Sequence, residues 1–197
     1  VPNLVTPIGA MVFGNVVEPR ENPNSGKVEW NLGFVLSLED SDSIIQNIQA
    51  AVAAKRAANP KFPATDDKLR FPYKPSMKRN EEGELEPDPE NLLWNFKRNT
   101  TYQTKTGEQK TNTPPALYDS LGRIVTGTIP RVPAGTTGKV VYDIYVYDMP
   151  GSKGVSLQIK GFQVAELKKT EEELPPIEGG WVPEEIDSIA AALAADA

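Results

Sequence analysis

The chain has 197 residues, with 21 Lys and Arg against 27 Asp and Glu and with no Cys or His. That length suits one domain with appendages, able to bury a core unaided, while the missing residue types exclude disulfides, Ser-His-Asp and Cys-His chemistry and the usual zinc sites. The net charge of −6 is uneven: residues 1–169 carry all the basic residues against 19 acidic ones, a net of +2, and residues 170–197 carry eight acidic residues and no basic one. The overall acidity therefore does not argue against a nucleic-acid partner. A non-catalytic binding protein is the favoured reading, with a carboxylate-held magnesium ion or a Lys or Tyr catalyst left as the routes to an enzyme.

Residues 1–10 lack the basic start and apolar block of a signal peptide, and no apolar run approaches the roughly 20 residues that span a bilayer. A soluble protein without a membrane partner is expected. Residues 5–17 read as a first strand broken by Pro7, Gly9 and Gly14. Residues 18–26, rich in Pro, Asn and Gly, read as a turn. Residues 28–38 alternate, with Trp30, Leu32, Phe34, Leu36 and Leu38 on one parity, the period of a half-buried strand. A helix follows, capped by Asp40 or Ser41, with Ile44, Ile45, Ile48, Ala51 and Val52 on one face, and it ends at Pro60.

Residues 60–92 hold six prolines and an acidic run, and read as a long surface loop, a length that is uncommon without a function. Strands return at 92–96 and 100–106. Residues 117–125 suggest a hairpin about Asp119, Ser120, Leu121 and Gly122. The strongest strand is 139–147, rich in Val, Ile and Tyr. A flexible turn at 149–154 leads to a last strand at 154–167. The pattern predicts a mainly β protein, a small Greek-key barrel of OB type, with one helix inserted after the second strand. Its body is residues 1–169.

Two clusters in the body mix cations with aromatic rings. The first holds Tyr73, Lys74, Lys78 and Arg79. The second holds Trp94, Phe96, Lys97, Arg98, Tyr102 and Lys105. Single-stranded nucleic acid calls for this mixture, because cations neutralise phosphates and flat rings stack on bases without reading sequence. Lys153, in the turn before the last strand, is a weaker addition. The same aromatics also fit core positions, and parity alone does not separate the two readings. Other motifs carry less. Residues 135–140 lack the glycine spacing of a phosphate loop, the glycosylation triplet at Asn99 has no secretory context, and residues 81–90 read as a solvated acidic loop.

Residues 170–197 form an acidic tail. A Pro- and Gly-containing linker leads to a short helix opened by Pro183, with Glu184 and Glu185 at its positive end. Ile186, Ile189 and Leu193 make a narrow apolar stripe, suited to docking in a partner's groove or to folding back on the body.

Residues 114–122, 141–147 and 153–164 together resemble the phage-type single-stranded DNA-binding proteins with an OB fold. The opening residues 4–17 and the alanine-rich helix are also similar to that family. The resemblance implies a protein without cofactor that coats single-stranded DNA in phage replication, recombination and repair, in the cytoplasm of the infected host cell. It implies that the acidic tail contacts replication proteins (polymerase, helicase-primase) and competes with DNA for the basic groove. A homo-oligomer stays open. Many such tails end in an aromatic residue and this one ends in Ala197, so the apolar stripe would have to serve instead. The rivals are a virion assembly protein and a magnesium-dependent nuclease.

Overall fold

The computed structural model describes residues 3–23, 25–104, 106–126 and 131–168. Ten strands and one long helix are built from them. They are β1 (Leu4–Val5), β2 (Gly9–Glu21), β3 (Val28–Ser37), α1 (Leu38–Ala58), β4 (Tyr73–Arg79), β5 (Leu85–Asn99), β6 (Thr101–Gln103), β7 (Gln109–Thr111), β8 (Ala116–Tyr118), β9 (Thr137–Met149) and β10 (Ser152–Glu166). Strand neighbours run β1-β9-β2-β3-β5-β10-β8, and β9 also pairs with β10. The path β2-β3-β5-β10-β9-β2 is therefore a closed five-stranded Greek-key barrel of the OB type.

Closure needs two backbones to come close. Gly9 of β2 lies opposite Gly138 of β9. A Cβ at Gly138 would collide with the Gln163 carbonyl, and one at Gly9 with that of Val35. Only glycine fits this seam.

The alternating face of β3 points inward as its pattern predicts, with Trp30, Leu32, Phe34 and Leu36 all buried. Phe34 meets Phe96 and Phe162 edge-on, each at 6.3 Å, and Phe96 meets Tyr142 at 5.4 Å. Such contacts add about 0.5–1.5 kcal/mol each beyond area burial. Leu38 leaves this face: it opens α1 and is exposed.

The cap of α1 is Ser37, not Asp40 or Ser41. The Ser37 hydroxyl oxygen accepts the Asp40 amide hydrogen at 3.0 Å. Ser41, one turn in, is fully buried, and its hydroxyl donates to the Ser37 carbonyl at 2.7 Å. Ile44, Ile48 and Val52 bury the helix against the barrel, with Ile45 and Ala51 half-buried at the edge of that face. Asn59 caps the end before Pro60.

Residues 60–92 are not one loop. After a short 3-10 turn at Asp66–Lys68 they form β4 and the first part of β5, an antiparallel hairpin. The prolines are tolerated because they sit where a ladder has a free side. β4 pairs only with β5, and its register slips after Pro75. Pro87 and Pro89 precede Asn91, where pairing with β3 begins.

The 100–106 strand is shorter than expected. β6 and β7 form a separate two-stranded hairpin whose residues are all exposed. The hairpin at 117–125 forms, with Tyr118 bridging Ile124 and β8 running parallel to β10. The turn between β9 and β10 is tighter than the sequence suggests. Met149 pairs with Ser152, leaving only Pro150 and Gly151, and Gly151 takes a φ of 77° as a type II turn requires. The helix expected at 183–195, and with it Glu184, Glu185, Ile186, Ile189 and Leu193, lies outside the described residues.

Candidate nucleic-acid interface

The two basic and aromatic clusters touch only through Tyr73 and Trp94, and their cations do not gather in one place. Lys78 and Arg79 lie at the tip of the β4–β5 hairpin, opposite Glu86 and Leu85. Lys97 and Arg98 lie at the other end of β5, roughly 40 Å away along an extended strand. Lys78 is 3.8 Å from the Glu86 carboxylate, and the Arg79 guanidinium donates to the Gly83 carbonyl at 2.7 Å. These cations face their own acidic hairpin.

Two of the stacking residues named from sequence are core residues. Trp94 and Phe96 are 0% exposed, because β3 places Phe34 opposite Trp94 and Leu32 opposite Phe96, all facing inward. The Trp94 indole N–H donates to the Ser41 hydroxyl at 3.0 Å. Neither ring has a face to offer a base. Tyr73 is half-buried, with its ring 4.8 Å from that of Trp94 and 5.8 Å from that of Phe71.

Lys153 is held as well. Its ammonium bonds the Asp148 carboxylate at 2.8 Å and lies 5.9 Å from the centre of the Phe62 ring. The Asn59 side-chain amide donates to the same carboxylate at 2.8 Å. The hydrogen bond from Lys153, opposed by some desolvation, holds the Asp148 carboxyl below its ordinary range. This cluster ties the β9–β10 hairpin to the end of α1.

The remaining residues converge elsewhere. An open groove of about 810 Å³ is lined by Lys27 and Val28 after the β2–β3 turn, by Asn99 and residues 100–103 where β5 leads into β6, by Gln109 of β7, and by Tyr145 and Met149 of β9. Tyr102 is 46% exposed and Tyr145 54% exposed. Open tyrosine rings beside a cation are what stacking on bases requires. Lys97 points outward on β5 between Asn95 and Asn99, and neither Lys97 nor Lys27 makes an ion pair among the described residues. Arg98 is half-buried, with its guanidinium 3.4 Å from the Asn112 side-chain oxygen. Lys105 lies outside the described residues.

The turn that carries Lys27 is tied across by hydrogen bonds. The Asn22 amide hydrogen donates to the Lys27 carbonyl at 2.8 Å, and the Asn22 side chain donates to the buried Glu29 carboxylate at 2.8 Å. In OB barrels the loop between the first two strands, that between the last two, and the face of the second and third strands form the oligonucleotide-binding surface. Here these are the β2–β3 turn, the β9–β10 turn, and β3 with β5. Lys27, Tyr145 and Met149 were not anticipated as site residues. Tyr145 had a signal, since it opposes the inward parity of Tyr142 and Ile144 on β9. No group of three Asp or Glu side chains suited to hold a metal ion occurs among the described residues.

The fold is thus an OB-type barrel with an open groove on one face. It has the fold of the phage single-stranded DNA-binding proteins. The crystal structure of gp2.5, a single-stranded DNA-binding protein encoded by bacteriophage T7, matches at a TM-score of 0.60 and 18% identity, over 90% of this chain and 99% of that one. The single-stranded DNA-binding protein of bacteriophage Enc34, solved in complex with ssDNA, matches at a TM-score of 0.57 and 7% identity, over 86% of this chain and 89% of that one. No protein-family model and no curated protein sequence matches the chain.

Proposed function

We propose that this chain binds single-stranded DNA without sequence preference, and coats and protects exposed strands in phage DNA replication, recombination and repair. The observation that carries the reading is the open groove, where the exposed rings of Tyr102 and Tyr145 stand beside Lys27 on the surface that OB barrels use for oligonucleotides. Its lining suits strand binding rather than base readout, because stacking is sequence-tolerant and Lys and Asn contacts serve the backbone. The solved complex of a protein of the same fold with ssDNA supports it.

The tail, residues 170–197, completes the proposal. Its charge of −8 makes it a competitor for the groove and a contact for replication proteins such as a polymerase or helicase-primase. The function is tested by competition between single-stranded and duplex DNA of equal length, with Tyr102→Ala and Tyr145→Ala as groove variants. Preference for the single strand, reduced in both variants by about fivefold or more, is the expected result. Equal affinity for both DNAs, or variants that bind like wild type, refutes it.

A further inference from the structure

A second recess, of about 450 Å³, lies outside this groove. That falls within the roughly 300–1,000 Å³ of small-ligand pockets. Its lining includes Phe13, Phe71, Tyr73, Lys74, Leu93 and Asn95. Phe13 of β2 lies opposite Gly33 of β3, and a Cβ at Gly33 would collide with the Phe13 ring. One side of the ring therefore rests on bare β3 backbone, yet the residue is 45% exposed. An aromatic ring fixed on one side and open on the other is a stacking surface that loses little freedom when a base lands on it. Phe71 and Tyr73 form the opposite flank, anchored to the core through Trp94. The Asn95 side chain and the Lys74 ammonium make no hydrogen bond or ion pair among the described residues, so both are free to meet a ligand.

We propose that this recess is a second nucleobase station. One base stacks on Phe13, Asn95 hydrogen-bonds the base edge or sugar, and Lys74 neutralises the adjoining phosphate. The inference rests on the single-strand binding proposed above and extends it. Asn95, Lys97 and Asn99 share the outward parity of β5, so Lys97 stands between the recess and the groove. Gly33 and Val28 lie about 17 Å apart along β3, which places the two stations on one strand path.

The test uses the full chain, an oligothymidylate and an abasic oligomer of the same length. Phe13→Ala should weaken oligothymidylate binding about 5- to 150-fold and leave the salt dependence and the abasic affinity unchanged. Phe13→Tyr should bind like wild type. If Phe13→Ala melts early, Phe13→Leu fills the seat without a stacking plane and should show the same selective loss. Wild-type affinity in Phe13→Ala or Phe13→Leu, or an equal loss on the abasic oligomer, overturns the station. A wild-type chain that binds no oligothymidylate refutes the reading beneath it instead.

Discussion

Replacing Trp94 should unfold the barrel before it affects a DNA contact. The side chain is 0% exposed and packs under Tyr73, with its indole N–H bonded to Ser41. A buried tryptophan removes about 200 Å² from water, which at ~25 cal/mol per Å² is about 5 kcal/mol. Measured losses for Trp→Ala in cores are about 3–5 kcal/mol, a large share of the roughly 5–15 kcal/mol that stabilises a domain. At about 2–4 °C per kcal/mol for a chain of this size, Trp94→Ala should lower the melting temperature by roughly 6–20 °C. Trp94→Phe keeps most of the packing but leaves Ser41 without its donor, and Ser41→Ala leaves the buried indole N–H unpaired, at about 1–3 kcal/mol. A double-mutant cycle of the two substitutions, followed by circular dichroism in urea, should return a coupling of about 0.5–1.5 kcal/mol. DNA affinity measured on the folded fraction of Trp94→Phe should equal that of wild type. A variant of full stability that has lost DNA binding would refute the assignment of Trp94 to the core.

Other outcomes follow from charge and geometry. Lys27→Gln and Lys97→Gln should each weaken binding to any sequence and lower the slope of log K against log salt by about 0.7, whereas Lys78→Gln, beside Glu86 on the far hairpin, should leave the slope unchanged. Gly33→Ala should displace the Phe13 ring, at a stability loss of about 1–3 kcal/mol and with weaker oligothymidylate binding, read by melting and titration. The folded-state pKa of Asp148 is lowered, so its stabilisation is complete above the unfolded value near about 3.9 and is lost as pH falls through the folded one. Melts of wild type and Asp148→Asn should therefore differ at pH 7 and converge on acidification below about pH 4. Deleting residues 170–197 should strengthen DNA binding at low salt, since it removes a charge of −8, and unchanged affinity would confine the tail to other contacts.

Periodicity carried most of the barrel into view. Four large residues on one parity of β3, Trp30, Leu32, Phe34 and Leu36, and the Val- and Tyr-rich run of β9, leave little choice of structure. The β4–β5 hairpin stayed hidden because Pro75, Pro87 and Pro89 argue against strands, and only the pairing scheme reveals that they occupy free ladder sides. Trp94 and Phe96 share a parity, but which face it meets is decided by register against β3, a contact 60 or more residues away in the chain. Lys97 falls on the outward parity and so points away from the core, while Tyr102 is exposed because β6 leaves the barrel. Lys153 was legible as a turn cation but not as the partner of Asp148. Phe13 had a weak signal, the lone glycine of β3 among large residues, which marks a close approach without naming what approaches.

The most direct test of the whole account is a fluorescence titration of the intact chain with an oligothymidylate across a series of salt concentrations. The account predicts tight binding at low salt that weakens linearly in log K against log salt, with a slope reporting several phosphate contacts at about 0.7 each. No binding at low salt, with or without residues 170–197, would contradict it.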